Sequence, residues 1–211
     1  RPKVDVLQHV AIRANPAIET VTIAAPVQNH LDRVVAADVI LAGVDRMLPR
    51  VVLTHASLET GTPYIDAGVR IDTDNDEIAC MEGVVHYLKP RETACFHCLD
   101  RGDSDEIRRE QFTDDELEQQ AARGYIDRED LEPAPAVMYL NGVLASLAVS
   151  IAVKHLLEYR APPGLIRYDD LTMSVTPIET DPDPDCTACG DRDGSGELDL
   201  DTEDLPRASD E

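Results

Sequence analysis

Apolar residues recur at Val4, Leu7, Val10 and Ala11, three and four apart, so Lys3–Ala14 reads as an amphipathic helix. Asn15-Pro16 stops it. Ile18–Ala24 alternates branched apolar residues with threonine and is expected as a strand, and Val27–Ala37 as a short helix. Ala37–Val44 (ADVILAGV) is an apolar run that closes on Asp45, the pattern of a buried parallel strand. Leu48–Thr60 reads as a helix with Gly61 at the C-cap position, and Pro63–Ile71 as the next strand. Strand, helix and strand on this beat predict an α/β layer with right-handed crossovers.

The pattern then changes. Glu77–Leu88 reads as an antiparallel strand entered through the acidic turn 72–76. Residues 100–132 are charged and short of apolar periodicity, which predicts a mobile crossover loop with some helix near Asp114–Arg123. Val137–Leu157 is the most apolar segment. Its uncharged stretch, Val137–Val153, is short for a membrane span and is interrupted by Asn141, Ser146 and Ser150. A helix buried on most sides is expected there, with Gly142, Ala145, Ala148 and Ala152 allowing close packing. Leu165–Ile178 supplies one or two further strands, and from Asp181 the chain is expected to be disordered except where cysteines hold it.

Charge sharpens this division. The 211 residues carry 19 basic and 42 acidic side chains, a formal net charge of −23. Thirteen acids against five bases fall in residues 100–132, and thirteen against two in residues 179–211, so the remainder is nearly balanced. Such acidity argues against nucleic acid and against an anionic membrane surface as partners. Only Lys3, Lys89 and Lys154 are lysines, against sixteen arginines. An acid-rich, lysine-poor surface suits a high-salt, halophilic cytoplasm, where salt screens self-repulsion. The first residue is Arg1 rather than Met, and further sequence is expected upstream.

The cysteines carry the clearest chemistry. Cys95-Phe-His-Cys98 and Cys186-Thr-Ala-Cys189 are two C-x-x-C pairs, the thiolate set of a tetrahedral structural zinc. The 87 residues between the pairs would be closed into one loop, at a cost that grows only logarithmically with length. Redox dithiols and disulfides are the alternatives. His97, between two ligands, is read as exposed or as a neighbour of the ion, and Cys80 as a small buried residue of a strand. Asp191–Asp199 partly matches a calcium loop, but position twelve is Thr202, so an acidic solubilising tail is expected instead.

Taken in order, these features resemble the C-terminal half of the ThiF/MoeB/HesA family, relatives of the ubiquitin-activating enzymes. Pro2-Lys3-Val4 with Asn15-Pro16 looks like the family's "PKVE…NP" helix, and Ala37–Arg46 with Arg50 like its "DLVLDCTDN…R" strand and turn. Gly61–Gly68 looks like its "G-x-P-x-I-x-G" strand, and Leu140–Ala148 like the buried helix after the crossover loop. The resemblance implies a Rossmann-like, mostly parallel sheet that continues into antiparallel strands, with a four-cysteine zinc site. It implies residues 1–180 as a partial adenylation domain, 181–190 as a knuckle closing onto 95–98, and 191–211 as an acidic tail.

The same resemblance implies ATP- and magnesium-dependent adenylation of the C-terminal glycine of a ubiquitin-like or sulfur-carrier protein, by a homodimer. Lys3 would touch phosphates and Asp45 would hold magnesium, although Asp45 taken alone also reads as a helix N-cap. Arg46 and Arg50 are the further nucleotide candidates. Arg46 stands where the family commonly has asparagine, and the family's G-x-G-x-x-G is not in these residues. Residues 101–136 hold no cysteine, so no thioester is expected on this chain, and Asp114, Asp115 and Glu116 read as a solvated face. The rival expectation is a non-catalytic, zinc-stabilised scaffold that binds such a protein.

Overall fold

The computed structural model describes residues 1–75, 77–101, 104–123, 125 and 137–190. Five strands form one sheet in the order β1-β2-β3-β4-β5: Ile40–Ala42, Tyr64–Asp74, Glu77–Leu88, Leu165–Asp169 and Ser174–Ile178. The helices are α1 (Lys3–Ala14), α2 (Leu31–Val34), α3 (Met47–Thr60), α4 (Ser104–Arg109), α5 (Asp114–Ala122) and α6 (Met138–Leu157). A single 3₁₀ turn, Val27–His30, leads into α2.

β1 and β2 pair in parallel, Ile40 opposite Tyr64, and α3 makes the crossover between them. That helix ends where the sequence indicates. Gly61 adopts φ 79°, and its N–H donates to the Ser57 carbonyl at 2.9 Å. β2 and β3 form a long antiparallel hairpin with Tyr64 opposite Leu88, and β4 and β5 extend the sheet antiparallel. The sheet is therefore mixed, with one parallel pair among the described residues. Ile18–Ala24, expected as a strand, takes no regular secondary structure and pairs with no strand among the described residues. A strand exists only through a hydrogen-bonded neighbour, and periodicity alone does not provide one.

Two cores occupy opposite faces of the sheet, because neighbouring residues on a strand point opposite ways. Ile65 and Tyr87 go to the α6 side, where they meet Leu140, Leu144, Ala148, Ile151 and Ala152. Tyr64 and Leu88 go to the α3 side, with Ile40, Leu53, Cys95, Phe96 and Cys186. The α6 positions lie four, four and three apart, one stripe of the helix. The expectation that α6 is buried on most sides is corrected. Val149, Val153, Leu156 and Leu157 on its outer side are exposed, since the sheet covers one face only. By length and composition α6 could cross a membrane, and here it lies along β2 and β3.

Cys80 is also corrected. It is half-exposed, because it points to the face of β3 opposite its neighbour Met81, which reaches the α6-side core. α1 forms as expected but buries no residue, and Leu7 is 64% exposed. α5 opens with a capping box in which the Thr113 hydroxyl and the Glu116 carboxylate serve each other's backbone N–H. Asp115 and Glu116 are otherwise exposed, as expected, while α4 has no counterpart in the sequence pattern. The expected acidic tail and the calcium-like stretch at 191–202 lie outside the described residues.

His86 on β3 is wholly buried. Its Nε2–H donates to the Ala94 carbonyl at 2.8 Å, and its Nδ1 has no partner among the described residues. Burial pulls its pKa from 6.5 down to about 4. The folded state thus resists protonation that the unfolded chain accepts. The stability from neutral His86 is complete above about pH 6.5, declines as pH falls toward 4 and then levels off, a difference of about 3 kcal/mol. In His86→Gln the amide keeps the donor to Ala94 without titrating. Denaturant unfolding should show a shallower decline for the variant between pH 6.5 and 4; parallel curves would contradict the assignment.

Candidate functional site

The turn that follows β3 builds the first half of a thiol cluster. Thr93 Oγ1 donates to the Tyr87 carbonyl and accepts from the Lys89 N–H, which folds the chain back on the strand end. Leu99 N–H then donates to the Cys95 carbonyl, and Gly190 N–H to the Cys186 carbonyl, so each C-x-x-C forms a tight turn. Between the two turns, Ala94 N–H donates to the Thr180 carbonyl and brings the segment after β5 alongside.

The four thiols converge. Cys95, Cys98, Cys186 and Cys189 place their sulfurs within 4.8 Å of one another. Cys95 Sγ lies 3.6 Å from Cys98 Sγ and 3.7 Å from Cys186 Sγ, and Cys98 Sγ lies 3.2 Å from Cys189 Sγ. A tetrahedral ion with metal–sulfur bonds of ~2.3 Å has sulfur–sulfur edges of ~3.8 Å, so the cluster fits one four-thiolate ion. Burial pushes the Cys95 thiol up to about 12. Cys186 is also buried, yet backbone N–H groups of Cys189 and Ala188 draw it down to about 7. A cation among the sulfurs would favour the thiolate throughout. His97 is exposed and is not a member of the cluster. Its Nε2 lies 2.9 Å from Nε2 of His55 on α3.

The second feature is a cavity of about 620 Å³ between the carboxyl end of β1, the middle of β2 and the start of α6. Asp45 and Arg50 both line it. Asp45 stands just past β1 and is exposed; among the described residues its carboxylate has no hydrogen-bond or ion-pair partner. It does not cap α3. Arg46 occupies the N-cap position without a side-chain bond, and the first two helix amides are served from a distance. Met47 N–H and Leu48 N–H donate to the two Glu110 oxygens at 2.5 and 2.7 Å.

Arg50, one turn into α3, is held through both terminal nitrogens of its guanidinium. It pairs with the buried Asp66 of β2 at 3.0 Å and donates to the Val44 carbonyl at 2.6 Å. The Tyr64 hydroxyl donates to the other Asp66 oxygen at 3.2 Å. Burial pushes the Asp66 carboxyl up, and Arg50, Arg101 and the Tyr64 hydroxyl pull against it. Gly68 makes the room, since a Cβ there would stand 2.5 Å from Arg50 Nη1. Arg101, just past the first cysteine pair, places its guanidinium 5.0 Å over the Phe96 ring.

The structure therefore brings Asp45 and Arg50 to one cavity and the four cysteines to one point. Lys3, at the start of α1, and Arg46 are exposed, have no partner among the described residues, and lie outside the cavity lining. Glu110 and Asp66 escape sequence reasoning. Glu110 is one of thirteen acids in its segment, and Asp66 occupies an ordinary strand position.

The ThiF family model matches residues 1–188. Over 161 residues the chain is 27% identical to ubiquitin-like modifier-activating enzyme 5 of Oryza sativa subsp. japonica, covering 74% of this chain and 32% of that enzyme. Among solved structures it resembles E. coli MccB with a TM-score of 0.67 and 18% identity, covering 91% of this chain and 51% of that one. E. coli MccB with ATP aligns at TM-score 0.63 and 20% identity, over 89% and 50%. The microcin C7 biosynthetic enzyme MccB in complex with N-formylated MccA aligns at 0.66 and 18%, over 89% and 52%. The chain thus spans about half of each solved relative and 32% of the plant enzyme. With the family match running through both cysteine pairs but for Cys189, this chain belongs to the ThiF family.

Proposed function

We propose that the chain is the carboxyl-terminal part of an ATP-dependent adenylating enzyme that activates the C-terminal glycine of a ubiquitin-like or sulfur-carrier protein. One observation carries this reading. Asp45 is a carboxylate without a partner among the described residues, just past the carboxyl end of a parallel strand, on a cavity of nucleotide size. The likeness to MccB solved with ATP and with N-formylated MccA, and to a plant enzyme named for activating a ubiquitin-like modifier, supports it.

In the reaction a carboxylate oxygen of the carrier attacks the α-phosphorus of ATP. The bond from that phosphorus to the bridging oxygen breaks, pyrophosphate leaves and an acyl adenylate remains. Two anions must approach each other, so catalysis is largely charge neutralisation and positioning. Asp45 is the residue suited to hold magnesium, which would offset the triphosphate charge. Lys3 and Arg46 are uncommitted cations available to phosphate. Arg50 lines the same cavity and is the further candidate for nucleotide, its guanidinium held in place by Asp66 and the Val44 carbonyl. The phosphate cradle is then supplied from outside these 211 residues, and no cysteine between 101 and 136 offers a thioester.

The four thiols hold one structural zinc, the ion that suits a closed four-sulfur site. Free thiols suit a reducing cytoplasm. The exposed apolar side chains of α1 and of the outer face of α6 suit burial against more protein, a second copy in a homodimer included. One observation favours the scaffold reading instead: Lys3 and Arg46 stand away from the cavity.

Two measurements test these assignments. In the full-length protein, Asp45→Ala should lower carrier-dependent ATP–pyrophosphate exchange by about 100-fold or more. Unchanged exchange would remove Asp45 from the chemistry, and a wild type without exchange would favour the scaffold. Elemental analysis should find one zinc per chain, and Cys186→Ser should release it and lower the melting temperature. Full zinc retention in that variant would contradict the four-thiolate site.

A further inference from the structure

We propose that Glu110 is a positioning residue of the Asp45 site, and that α4 with the turn that follows it is a strap that sets the start of α3. Helix α3 begins without local help. Arg46 at the N-cap offers no acceptor, and the first turn holds no acidic residue. Of the three residues that open the helix, Pro49 has no N–H, and Glu110 serves the other two. A carboxylate that takes two adjacent amides at the positive end of a helix makes short, charge-assisted bonds, here 2.5 and 2.7 Å.

Described contacts hold the chain before, along and after the strap. Ahead of it, Arg101 N–H donates to the Phe96 carbonyl at 3.0 Å, and the Arg101 guanidinium lies over the Phe96 ring. Along its length α4 packs against α3. At its end, Gln111 and Phe112 N–H groups donate to the Arg108 and Arg109 carbonyls, a turn that leaves the Glu110 carboxylate on the helix end. Asp45 is two residues before Met47. The turn that carries it is thus held on one side by Arg50 on the Val44 carbonyl and on the other by Glu110 on the helix amides. Release of Glu110 frees that turn and leaves the Arg50–Asp66 pair in place.

The role in the reaction rests on the adenylation reading; the strap itself does not. In Glu110→Ala, hydrogen exchange of the Met47 and Leu48 amides should quicken about tenfold or more, while the rest of α3 keeps its protection. Glu110→Gln, with one acceptor oxygen, should fall between. In the full-length protein the magnesium concentration for half-maximal ATP–pyrophosphate exchange should rise at least about threefold in Glu110→Ala, with the rate at saturating magnesium near wild type. Unchanged amide exchange would overturn the strap. A loss of rate that magnesium does not restore, or an unchanged magnesium requirement, would overturn the positioning role. A wild type without exchange activity would overturn the adenylation reading, and the amide measurement would then decide Glu110 by itself.

Discussion

Four sulfurs drawn to one point tie together two parts of the chain far apart in sequence, beside the Ala94–Thr180 backbone bond that also joins them. The turn after β3 and the segment after β5 come from opposite ends of a long excursion, and they meet at Cys95, Cys98, Cys186 and Cys189. Cys95 and Cys186 are also members of the α3-side core, with Leu53, Tyr64, Leu88 and Phe96. The cluster is therefore part of the packing rather than an appendage to it. Thiol chemistry and hydrophobic burial meet at the same place, so an ion held there would brace the core as well as the knuckle.

From that point order passes toward the cavity by ordinary contacts. Phe96 lies between the cysteines, stacks near Tyr64 and carries Arg101 over its ring. Tyr64 and Arg50 share the Asp66 carboxylate, and Arg50 holds the last carbonyl before Asp45. A buried ion pair of this kind stabilises little by itself, because desolvation offsets most of the attraction. Its worth lies in direction, since it holds the Val44 carbonyl and the turn that presents Asp45, unpaired among the described residues, at the edge of the cavity.

Much of this was legible in the residues, and the boundary of legibility has a physical cause. Local rules carried far: Asn15-Pro16 and Gly61 end their helices, alternation marks the β2–β3 hairpin, and the cysteine spacing foretells the cluster. What escaped was non-local. Ile18–Ala24 has strand composition but no neighbour among the described residues. The apolar α6 has no periodicity to reveal which face the sheet covers, and Cys80 is half-exposed because only the other face of its strand meets a core there. Glu110 reaches amides more than sixty residues away in sequence, and no pattern separates it from the other acids of its segment. Asp66 sits in a buried strand where its partner, Arg50, comes from a different element.

The central claim is that a single ion joins all four sulfurs and thereby fixes the platform on which the Asp45 turn rests. X-ray absorption at the zinc edge of the purified protein measures this directly. The account predicts a first shell of four sulfurs at ~2.3 Å with no nitrogen or oxygen contribution. A shell of two sulfurs completed by lighter atoms, or no bound metal at all, would contradict it.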